Sequence, residues 1–360
     1  MMIQKIVDKI AFLLLLCGSL SVFSQQEDHH QAPKENKVDG TTEMIMHHIA
    51  DAHDYHIMDW KGHAISVSLP IILWTENGLV TFMSSKFHHD DSGKVIVESK
   101  GLKFVKYHGE IFYANADGSL SFDEKHHVTN LRPLNFSITK NVVTLIFVCL
   151  LMLFIFVSVA KSYKKNDKAP KGVAGFLEPL ILFIRDDIAK PNIGDHKYER
   201  YMPYLLTVFF LIWIGNLLGL VPVISGTLTN DILFTGTLAV LTFVITVFSG
   251  NKNYWKHIFA TPGVPIWLLP IMIPVEILGM LTKPFALMVR LFANITAGHI
   301  VILSLISLIF VFKSVYASVV SVPFGLFINV LELLVAFIQA YVFTLLSALF
   351  IGQAVEEEHH

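Results

Sequence analysis

The sequence has little cysteine and little charge. Of its 360 residues, 2 are cysteines and 16% are Asp, Glu, Lys or Arg. The cysteines, Cys17 and Cys149, lie in separate apolar stretches, so their spacing indicates neither a disulfide framework nor a metal site. The formal net charge is −2, and no basic patch with interleaved aromatic residues is present, which argues against nucleic-acid binding. We expect no cofactor, no metal and no nucleic-acid partner.

Apolar residues dominate the composition. They account for 53% of the chain, and the mean hydropathy is +0.57. This composition is typical of a membrane protein with a soluble part attached. No inverted internal repeat is visible, which weakens the case for a transporter that works alone.

Residues 1–24 are predicted to be a secretory signal peptide. Lys5 and Lys9 precede an apolar run at 10–16, and Val22-Phe23-Ser24 forms a permissible cleavage site. An uncleaved anchor helix is the alternative. With a signal here, the residues that follow begin outside the cytoplasm.

Residues 25–140 are predicted to form a secreted, extracytoplasmic extension that is small, histidine-rich and β-rich. Short β-like runs occur at 64–74, 79–83, 94–97, 102–107 and 111–114. Turn pairs such as Asn77-Gly78 separate several of them, which predicts a small antiparallel sheet. Most of the 17 histidines lie here. His47 and His48 stand near Asp51 as possible zinc or copper ligands, but without standard ligand spacing we favour a solvated polar face.

The remainder predicts an all-α polytopic membrane domain, residues 141–354. About five stretches are long and apolar enough to cross a bilayer, namely 141–160, 202–224, 232–248, 267–312 and 321–353. The last two exceed what a hydrocarbon core of about 30 Å requires, so we expect them to form a long, tilted hairpin. Residues 176–188 are too short and too charged to cross, and they predict an interfacial helix on the cytoplasmic surface.

Lysines indicate the orientation of these helices. Lys161, Lys164 and Lys165 follow the first predicted span, whereas Lys140 precedes it. By the positive-inside rule, the far end of that span is cytoplasmic, which agrees with an exported N-terminal extension. Five crossings then place the acidic tail, residues 355–360, in the cytoplasm.

Arg290 is the least expected residue of the membrane domain. Between it and Lys313 the chain contains no Lys, Arg, Asp or Glu. An arginine at bilayer depth costs about 2.5–3.5 kcal/mol on insertion scales, and its guanidinium cannot lose a proton to escape that cost. A charge in such a place is a functional candidate by default.

Two predicted helices carry polar stripes. At about 100° per residue, one face of the first holds Glu276, Lys283, Arg290 and Asn294, and His299 points to roughly the opposite side. On the last helix, one face holds Asn329, Glu332 and Gln339. If the two helices are antiparallel, His299 and Glu332 can meet in the outer half of the bilayer and pass protons. For His299 alone, a hydrogen-bonded packing role is the alternative.

With these residues in place, residues 141–353 resemble subunit a of the F-type ATP synthase. The family's arginine helix carries R-L-F-x-N followed by A-G, and the matching residues are Arg290-Leu291-Phe292-Ala293-Asn294 and Ala297-Gly298. Further matches are Glu276, Lys283-Pro284, Gln339, Asn216 and Pro222.

The chain also departs from the best-known bacterial members of this family. They carry glutamate after the A-G and histidine seven positions before the glutamine, so His299 and Glu332 are exchanged here. The exchange preserves one acid and one imidazole, which favours a contact between them. Gly219 replaces an acid that some relatives carry, and the extension at 25–140 has no counterpart in those members.

The resemblance implies a proton-translocating stator subunit, not an enzyme by itself, in a bacterial inner (plasma) membrane. Its partners would be the c-subunit ring, the b-subunit peripheral stalk, the rest of the ATP synthase and the lipid bilayer. Arg290 would deprotonate the ring carboxylate between two offset half-channels. The implied proton path comprises Glu332, His299, Asn294, Gln339, Glu276 and Asn216.

Two rival interpretations remain at this point. A stand-alone ion transporter or channel would need its own substrate-binding charges and usually a repeated topology. A membrane anchor or assembly protein would carry Arg290 incidentally. The choice between proton and sodium coupling is open, because the selective site would lie on the ring.

Overall fold

A computed structural model describes residues 51–60, 63–115, 117–123, 127–165, 172–221, 228–259, 265–312 and 315–356. The chain divides into two compact units. One includes residues 18–146 and 221–227, and the other includes 147–220 and 228–360. We describe each by itself. The predicted signal peptide, residues 1–24, and the histidines His47 and His48 lie outside the described residues.

The N-terminal unit is rich in β-strands, as predicted. Its described strands are β1 (Asp54–Trp60), β2 (His63–Ser68), β3 (Pro70–Thr75), β4 (Gly78–Met83), β5 (Ser92–Ser99), β6 (Leu102–Tyr107), β7 (Glu110–Tyr113) and β8 (Leu134–Asn135). They form three antiparallel sheets, in which β1 pairs with β2, β3 lies between β4 and β8, and β6 lies between β5 and β7. The β3–β4 hairpin turns at the predicted Asn77-Gly78, where Gly78 has a φ of 84°, a value that favours glycine.

A single apolar core joins the two three-stranded sheets. Ile71 and Leu73 of β3 are completely buried, and they share this core with Phe104 of β6. The Phe82 and Phe104 rings lie 5.9 Å apart, centroid to centroid. Burial of each such side chain contributes about 1.5–3 kcal/mol, so inward-facing residues of β3, β4 and β6 hold the two sheets together.

The prediction of one strand over residues 64–74 is wrong. β2 ends at Ser68, and a separate strand, β3, begins at Pro70. Between them the Leu69 amide donates to His53 O at 3.3 Å and to Ser84 Oγ at 3.0 Å. Proline has no N–H to give to a sheet ladder, so the chain leaves one sheet and enters the next at this point.

The junction between β8 and the first helix is fixed by hydrogen bonds. The Lys140 amide donates to Ala52 O at 2.9 Å, and the Asn141 amide donates to Asp51 Oδ1 at 3.1 Å. Burial raises the pKa of the Asp51 carboxyl, although hydrogen bonding to Thr139 acts in the opposite direction. The Asp51 carboxylate accepts a hydrogen bond from a backbone N–H of the first helical turn that has no partner within the helix. This bond stabilises the N-terminus of α1.

His53 is a buried histidine of the same region. It is 4% exposed, and its Nε2 lies 3.3 Å from the Asn135 side-chain amide nitrogen. Because that amide donates, Nε2 accepts and the proton of the neutral ring belongs on Nδ1. Burial lowers the pKa of His53 to about 4, and the positive charge of Lys106 adds to the effect.

We expect the N-terminal unit to lose stability as the pH falls from about 6.5 toward 4. Between these two pH values His53 is protonated in the unfolded chain but neutral in the folded chain. Lowering the pH therefore favours the unfolded state. At about 1.4 kcal/mol per pKa unit, the loss is about 3 kcal/mol. Hydrogen exchange of the β3 amides in the full-length protein measures it. His53→Gln should reduce the pH dependence of the unit's stability, whereas His88→Gln, at an exposed position, should leave it unchanged. The same dependence of stability on pH in both variants would contradict this account.

The longer helices of the described residues are α1 (Lys140–Lys165), α2 (Val173–Phe183), α3 (Tyr198–Gly219), α4 (Ile232–Ser249), α5 (Lys252–Phe259), α6 (Leu269–Phe312) and α7 (Val315–Val355). Within this part of the chain, five are long and apolar enough to cross a membrane: α1, α3, α4, α6 and α7. That agrees with the predicted number. α3 begins before the predicted 202, because the charged residues Glu199 and Arg200 are accommodated in its first turn.

α6 and α7 form the predicted long hairpin, and α7 also packs against α3. With 44 and 41 residues at about 1.5 Å per residue, both are about twice as long as a hydrocarbon core of about 30 Å is thick. α3 is the most enclosed of the spans, with 72% of its apolar window buried. A helix that is apolar all round belongs in the middle of a bundle.

α2 differs in its bounds from the predicted interfacial helix at 176–188. It starts at Val173, after Gly172 with a φ of 67°, and it continues into a π-helical turn at Ile184–Ala189. Asp186 pairs there with Arg185 and Lys190 on the exposed side. Arg185 and Asp186 lie within the predicted helix, and the π-helical geometry of this turn is the feature that the sequence does not predict.

The C-terminal end of α7 is docked onto two loops. Lys197 Nζ donates to Val355 O at 2.8 Å, and Asn251 Nδ2 donates to the same oxygen at 2.9 Å. Near this end, a Cβ atom on Gly352 would lie 1.9 Å from Asn192 O. Glycine is therefore required at 352 for the close approach of α7 to Asn192. The hydrogen bonds from Lys197 and Asn251 satisfy the carbonyl of Val355, the last residue of α7.

Candidate functional site

α6 and α7 bring an imidazole and a carboxylate into contact inside the helical unit. His299 Nδ1 lies 2.6 Å from Glu332 Oε1, and Glu332 is only 4% exposed. The proximity predicted from helical spacing is confirmed. An acid and a base this close can hold one proton on either partner.

Gly298 makes room for this contact. A Cβ atom at that position would lie 2.5 Å from Glu332 Oε1 and 3.0 Å from its Cδ. Glycine inside a helix costs about 1 kcal/mol relative to alanine. The glycine is explained by the approach of the Glu332 side chain, which any larger residue would displace from His299.

A second polar pair lies along the same helix contact. Asn294 Nδ2 donates to Gln339 Oε1 at 3.0 Å, and Gln339 is 3% exposed. Asn294 precedes His299 on α6, and Gln339 follows Glu332 on α7, so the two pairs succeed one another along the hairpin. Four of the predicted path residues are thereby brought together on two helices.

Arg290 lies one helical turn before Asn294 and is exposed on the surface of the unit. Across the described ranges, no ion pair or hydrogen bond to its guanidinium is found. The predicted stripe therefore continues from the hydrogen-bonded amides of Asn294 and Gln339 to an exposed positive charge. A charge without a partner in a membrane span requires a counter-charge from elsewhere.

Glu276 occupies a different place, near the start of α6. It is half-buried two turns before Lys283, whose Nζ donates to Gln353 Oε1 at 2.9 Å. Burial raises the pKa of Tyr254 on α5, and the negative charge of Glu276 adds to that rise. Glu276 thus belongs to a polar group with Tyr254, apart from the His299–Glu332 pair.

Asn216 belongs to a third group, on α3. Its Oδ1 accepts a hydrogen bond from Thr229 Oγ1, and both residues are buried. Asn230, next in the chain, accepts a long hydrogen bond of 3.4 Å from Thr296 of α6. Asn216 is therefore linked to a short turn, Leu228–Asn230, rather than directly to the His299–Glu332 pair.

Sequence reasoning missed Thr229, Asn230 and Thr296. A polar run directly before the apolar residues of α4 was the available signal, since Thr229, Asn230 and Asp231 follow one another. Loops usually carry such residues for solvation. Here Thr229 is completely buried, which no pattern in the chain indicates.

Three buried polar atoms of these groups lack a partner within the described part of the chain. They are Glu332 Oε2, Asn216 Nδ2 and Asn230 Nδ2. An unsatisfied buried polar group costs about 1–3 kcal/mol, and buried water is the usual remedy in a polar site. Each of the three atoms therefore suits a site for a buried water molecule.

The described part of the histidine-rich unit is predicted to have a solvated polar face rather than a metal site. Among the residues that the structure describes, no group of three or more His, Cys, Asp or Glu side chains could hold a metal ion. The described residues do include two His–Asp pairs, in which His89 Nδ1 lies 3.5 Å from Asp54 Oδ2 and His127 Nδ1 lies 3.5 Å from Asp123 Oδ2. Because His47 and His48 lie outside the described residues, the zinc or copper alternative stays an expectation from the sequence.

Bilayer-length helices, an acid–imidazole pair with a buried carboxylate, and a guanidinium without a partner among the described residues define a multi-pass membrane protein with ionisable groups inside its spans. Residues 142–352 match the family model of the ATP synthase A chain. The chain belongs to this family, that of subunit a of the F-type ATP synthase.

Named relatives agree with the family match. ATP synthase subunit a of Chloroherpeton thalassium is 53% identical over 231 residues, which cover 62% of this chain and 68% of the relative. ATP synthase subunit a 2 of Chlorobaculum tepidum is 53% identical over 238 residues, 63% of this chain and 66% of the relative. ATP synthase subunit a of Myxococcus xanthus is 48% identical over 233 residues, which cover 63% of this chain and 76% of the relative. Residues 44–136 match a domain of unknown function, DUF8433.

Proposed function

We propose that the chain is the proton-translocating stator subunit of a rotary ATP synthase, in which Arg290 deprotonates the carboxylates of a c-subunit ring. The observation that carries this proposal is the exposed guanidinium of Arg290, for which the described residues offer no counter-charge. A moving ring carboxylate supplies the missing charge each time it passes. The b-subunit peripheral stalk would hold the chain still against that movement.

The charge of Arg290 is sufficient to lower the pKa of a nearby ring carboxylate and release its proton. Unit charges about 4 Å apart attract by about 4 kcal/mol at an effective dielectric near 20. That energy equals roughly three pKa units, so a carboxylate facing Arg290 ionises and releases its proton. The permanent positive charge also repels a proton that would otherwise leak straight across.

The outer half-channel would run along the α6–α7 hairpin. Protons would reach the His299–Glu332 pair, with Asn216 near the outer end, and pass Asn294 and Gln339 to a ring carboxylate. The short contact of 2.6 Å between His299 and Glu332 supports this route, because acid and imidazole exchange protons readily. Water at the unpartnered oxygen of Glu332 would extend the path.

The inner half-channel would leave past Glu276, on the other side of Arg290. Two offset paths are required because a continuous one would dissipate the membrane potential without turning the ring. Each proton contributes about 2.3 kcal/mol per 100 mV of potential. The half-buried position of Glu276 beside Tyr254 supports its assignment to the exit.

The orientation follows from the same proposal. The N-terminal unit would lie in the periplasm behind a cleaved signal peptide, and the acidic tail at 355–360 in the cytoplasm. α2 would lie along the cytoplasmic surface of a bacterial inner membrane. Its exposed Val173 and Phe176, 60% and 64% exposed, suit an interfacial position.

Reconstitution tests the proposal against a stand-alone transporter or channel. The purified chain alone in liposomes should show no selective ion flux, whereas the complete complex should acidify vesicles when ATP is added. The chain should also co-purify with a ring of small two-helix subunits. Selective flux through the chain alone would overturn the proposal.

We expect Gly298→Ala to slow ATP-driven vesicle acidification without disturbing assembly. Alanine favours the helix, but its methyl group would displace the Glu332 carboxylate from His299. Loss of one positioned acid–base contact should lower the rate by about 100-fold, the low end of what a positioned acid or base contributes. Gly279→Ala, on the same helix with nothing within 4 Å of an added Cβ, is the matched control. Equal acidification rates in the two variants would mean that the His299–Glu332 contact is not part of the proton path.

A further inference from the structure

The outward face of the β4–β3–β8 sheet is apolar at nearly every position. Strand pairing and the bonds Phe136 N to Ile72 O and Ile138 N to Pro70 O align its side chains in rows of three. The rows are Met83, Pro70 and Ile138, then Thr81, Ile72 and Phe136, then Leu79, Trp74 and Leu134. Thr81 is the one polar member, and none of the nine is charged.

This face is not built for contact with water. An antiparallel sheet with one solvated face normally alternates apolar residues inward with polar residues outward. β5 of the same unit differs from this face, since two of its exposed positions, Lys94 and Glu98, are charged, although Ile96 between them is apolar. On the β4–β3–β8 face, by contrast, Trp74 is 56% and Leu134 45% exposed. A contiguous apolar surface of this kind marks a contact site.

The same sheet runs directly into a membrane span. Only Thr139 separates Ile138, in the row of Pro70, from the first residue of α1. The amides of Lys140 and Asn141 donate to Ala52 and Asp51, which ties the first turn of α1 to the chain just before β1. Soon afterwards the exposed residues of α1 are themselves apolar, as at Ile146.

We propose that this sheet face is a membrane-contact surface that lies against the headgroup region of the bilayer where α1 enters it. Its content of tryptophan and aliphatic residues without charge is what this region accepts. Its position, in unbroken continuity with a span, brings lipid rather than a soluble partner within reach. Successive rows are about 6.6 Å apart along a strand, so the row of Ile138 lies nearest the hydrocarbon. This inference requires only that α1 crosses the membrane, not that Arg290 acts on a ring.

Site-directed fluorescence on the full-length chain in liposomes tests the contact. Cys17 and Cys149 are replaced by serine, and single cysteines for a polarity-sensitive label are placed at Leu79, Thr81 or Met83. Glu98→Cys, exposed on β5, is the matched control. Lipids carrying a nitroxide at the headgroup should quench the three labels, most strongly at Met83, and should leave the control label bright. Thr81→Cys replaces a small exposed side chain and should disturb folding least. It provides a usable label if replacement of Leu79 or Met83 prevents folding.

Two outcomes would overturn the membrane contact. Aqueous iodide that quenches the three labels as strongly as the Glu98→Cys label, without quenching by the nitroxide lipids, would show a face open to water. Labels shielded from both quenchers only in the complete complex would show a protein partner instead. Normal ATP-driven acidification alongside either result would leave the role proposed for Arg290 standing.

Discussion

ATP-driven proton pumping is expected to disappear in an Arg290→Ala variant, while the complex remains assembled. The guanidinium is exposed, and within the described residues it makes no ion pair or hydrogen bond whose loss would disturb the fold. Its removal takes away the interaction of about 4 kcal/mol that ionises the ring carboxylate. A carboxylate that keeps its proton cannot complete the cycle, and a protonated ring can slip past the stator without coupling.

Inverted membrane vesicles measure this effect through ATP-driven quenching of a pH-sensitive dye. Val289→Ala, an exposed neighbour on the same helix, is the matched control and should pump normally. Arg290→Lys should also fail, because a desolvated lysine can release its proton and guanidinium cannot. Coupled pumping retained by Arg290→Ala would refute the assigned role, and normal ATP synthesis would favour an assembly protein with an incidental arginine.

Helical periodicity explains why much of the membrane site could be predicted. The fixed rotation per residue of an α-helix places Arg290 and Asn294 on one face, whatever the helix packs against. The lengths of the apolar runs determine the number of spans. His299 and Glu332 then meet because the two long helices, which follow one another in the chain, pack antiparallel. Each of these inferences uses a regular element whose geometry is the same in every protein.

The parts that could not be predicted depend on irregular backbone. Thr229 and Asn230 lie in a short turn, and their burial depends on how α3 and α6 enclose it. The separation of β2 from β3 depends on bonds from Leu69 to residues distant in the chain. β8 has two residues, too few for an alternation to be visible. Gly298 matched a motif, but only the position of Glu332 shows what the missing side chain is for.

Exchanging the two members of the acid–imidazole pair provides the sharpest test of the outer path. Glu332→His alone places two imidazoles at the contact, and His299→Glu alone places two carboxylates there, where like charges resist ionisation. Each single variant should lower ATP-driven acidification by about 100-fold, which is the low end of what a positioned acid or base contributes. The double variant restores one acid and one imidazole across the same 2.6 Å contact, so a large part of the rate should return.

The size of that return measures the coupling between the two positions. In a double-mutant cycle, independent residues give losses that add, whereas residues in contact do not. Asn329→Ala, one turn from Glu332 on α7, is the control for a polar residue outside the pair and should have a smaller effect than Glu332→Gln. Additive losses in the double variant would mean that the pair does not act as one proton-transfer unit, even though its atoms touch. A recovered rate would mean that the chain can hold the acid on either helix, as the exchange relative to other bacterial members implies.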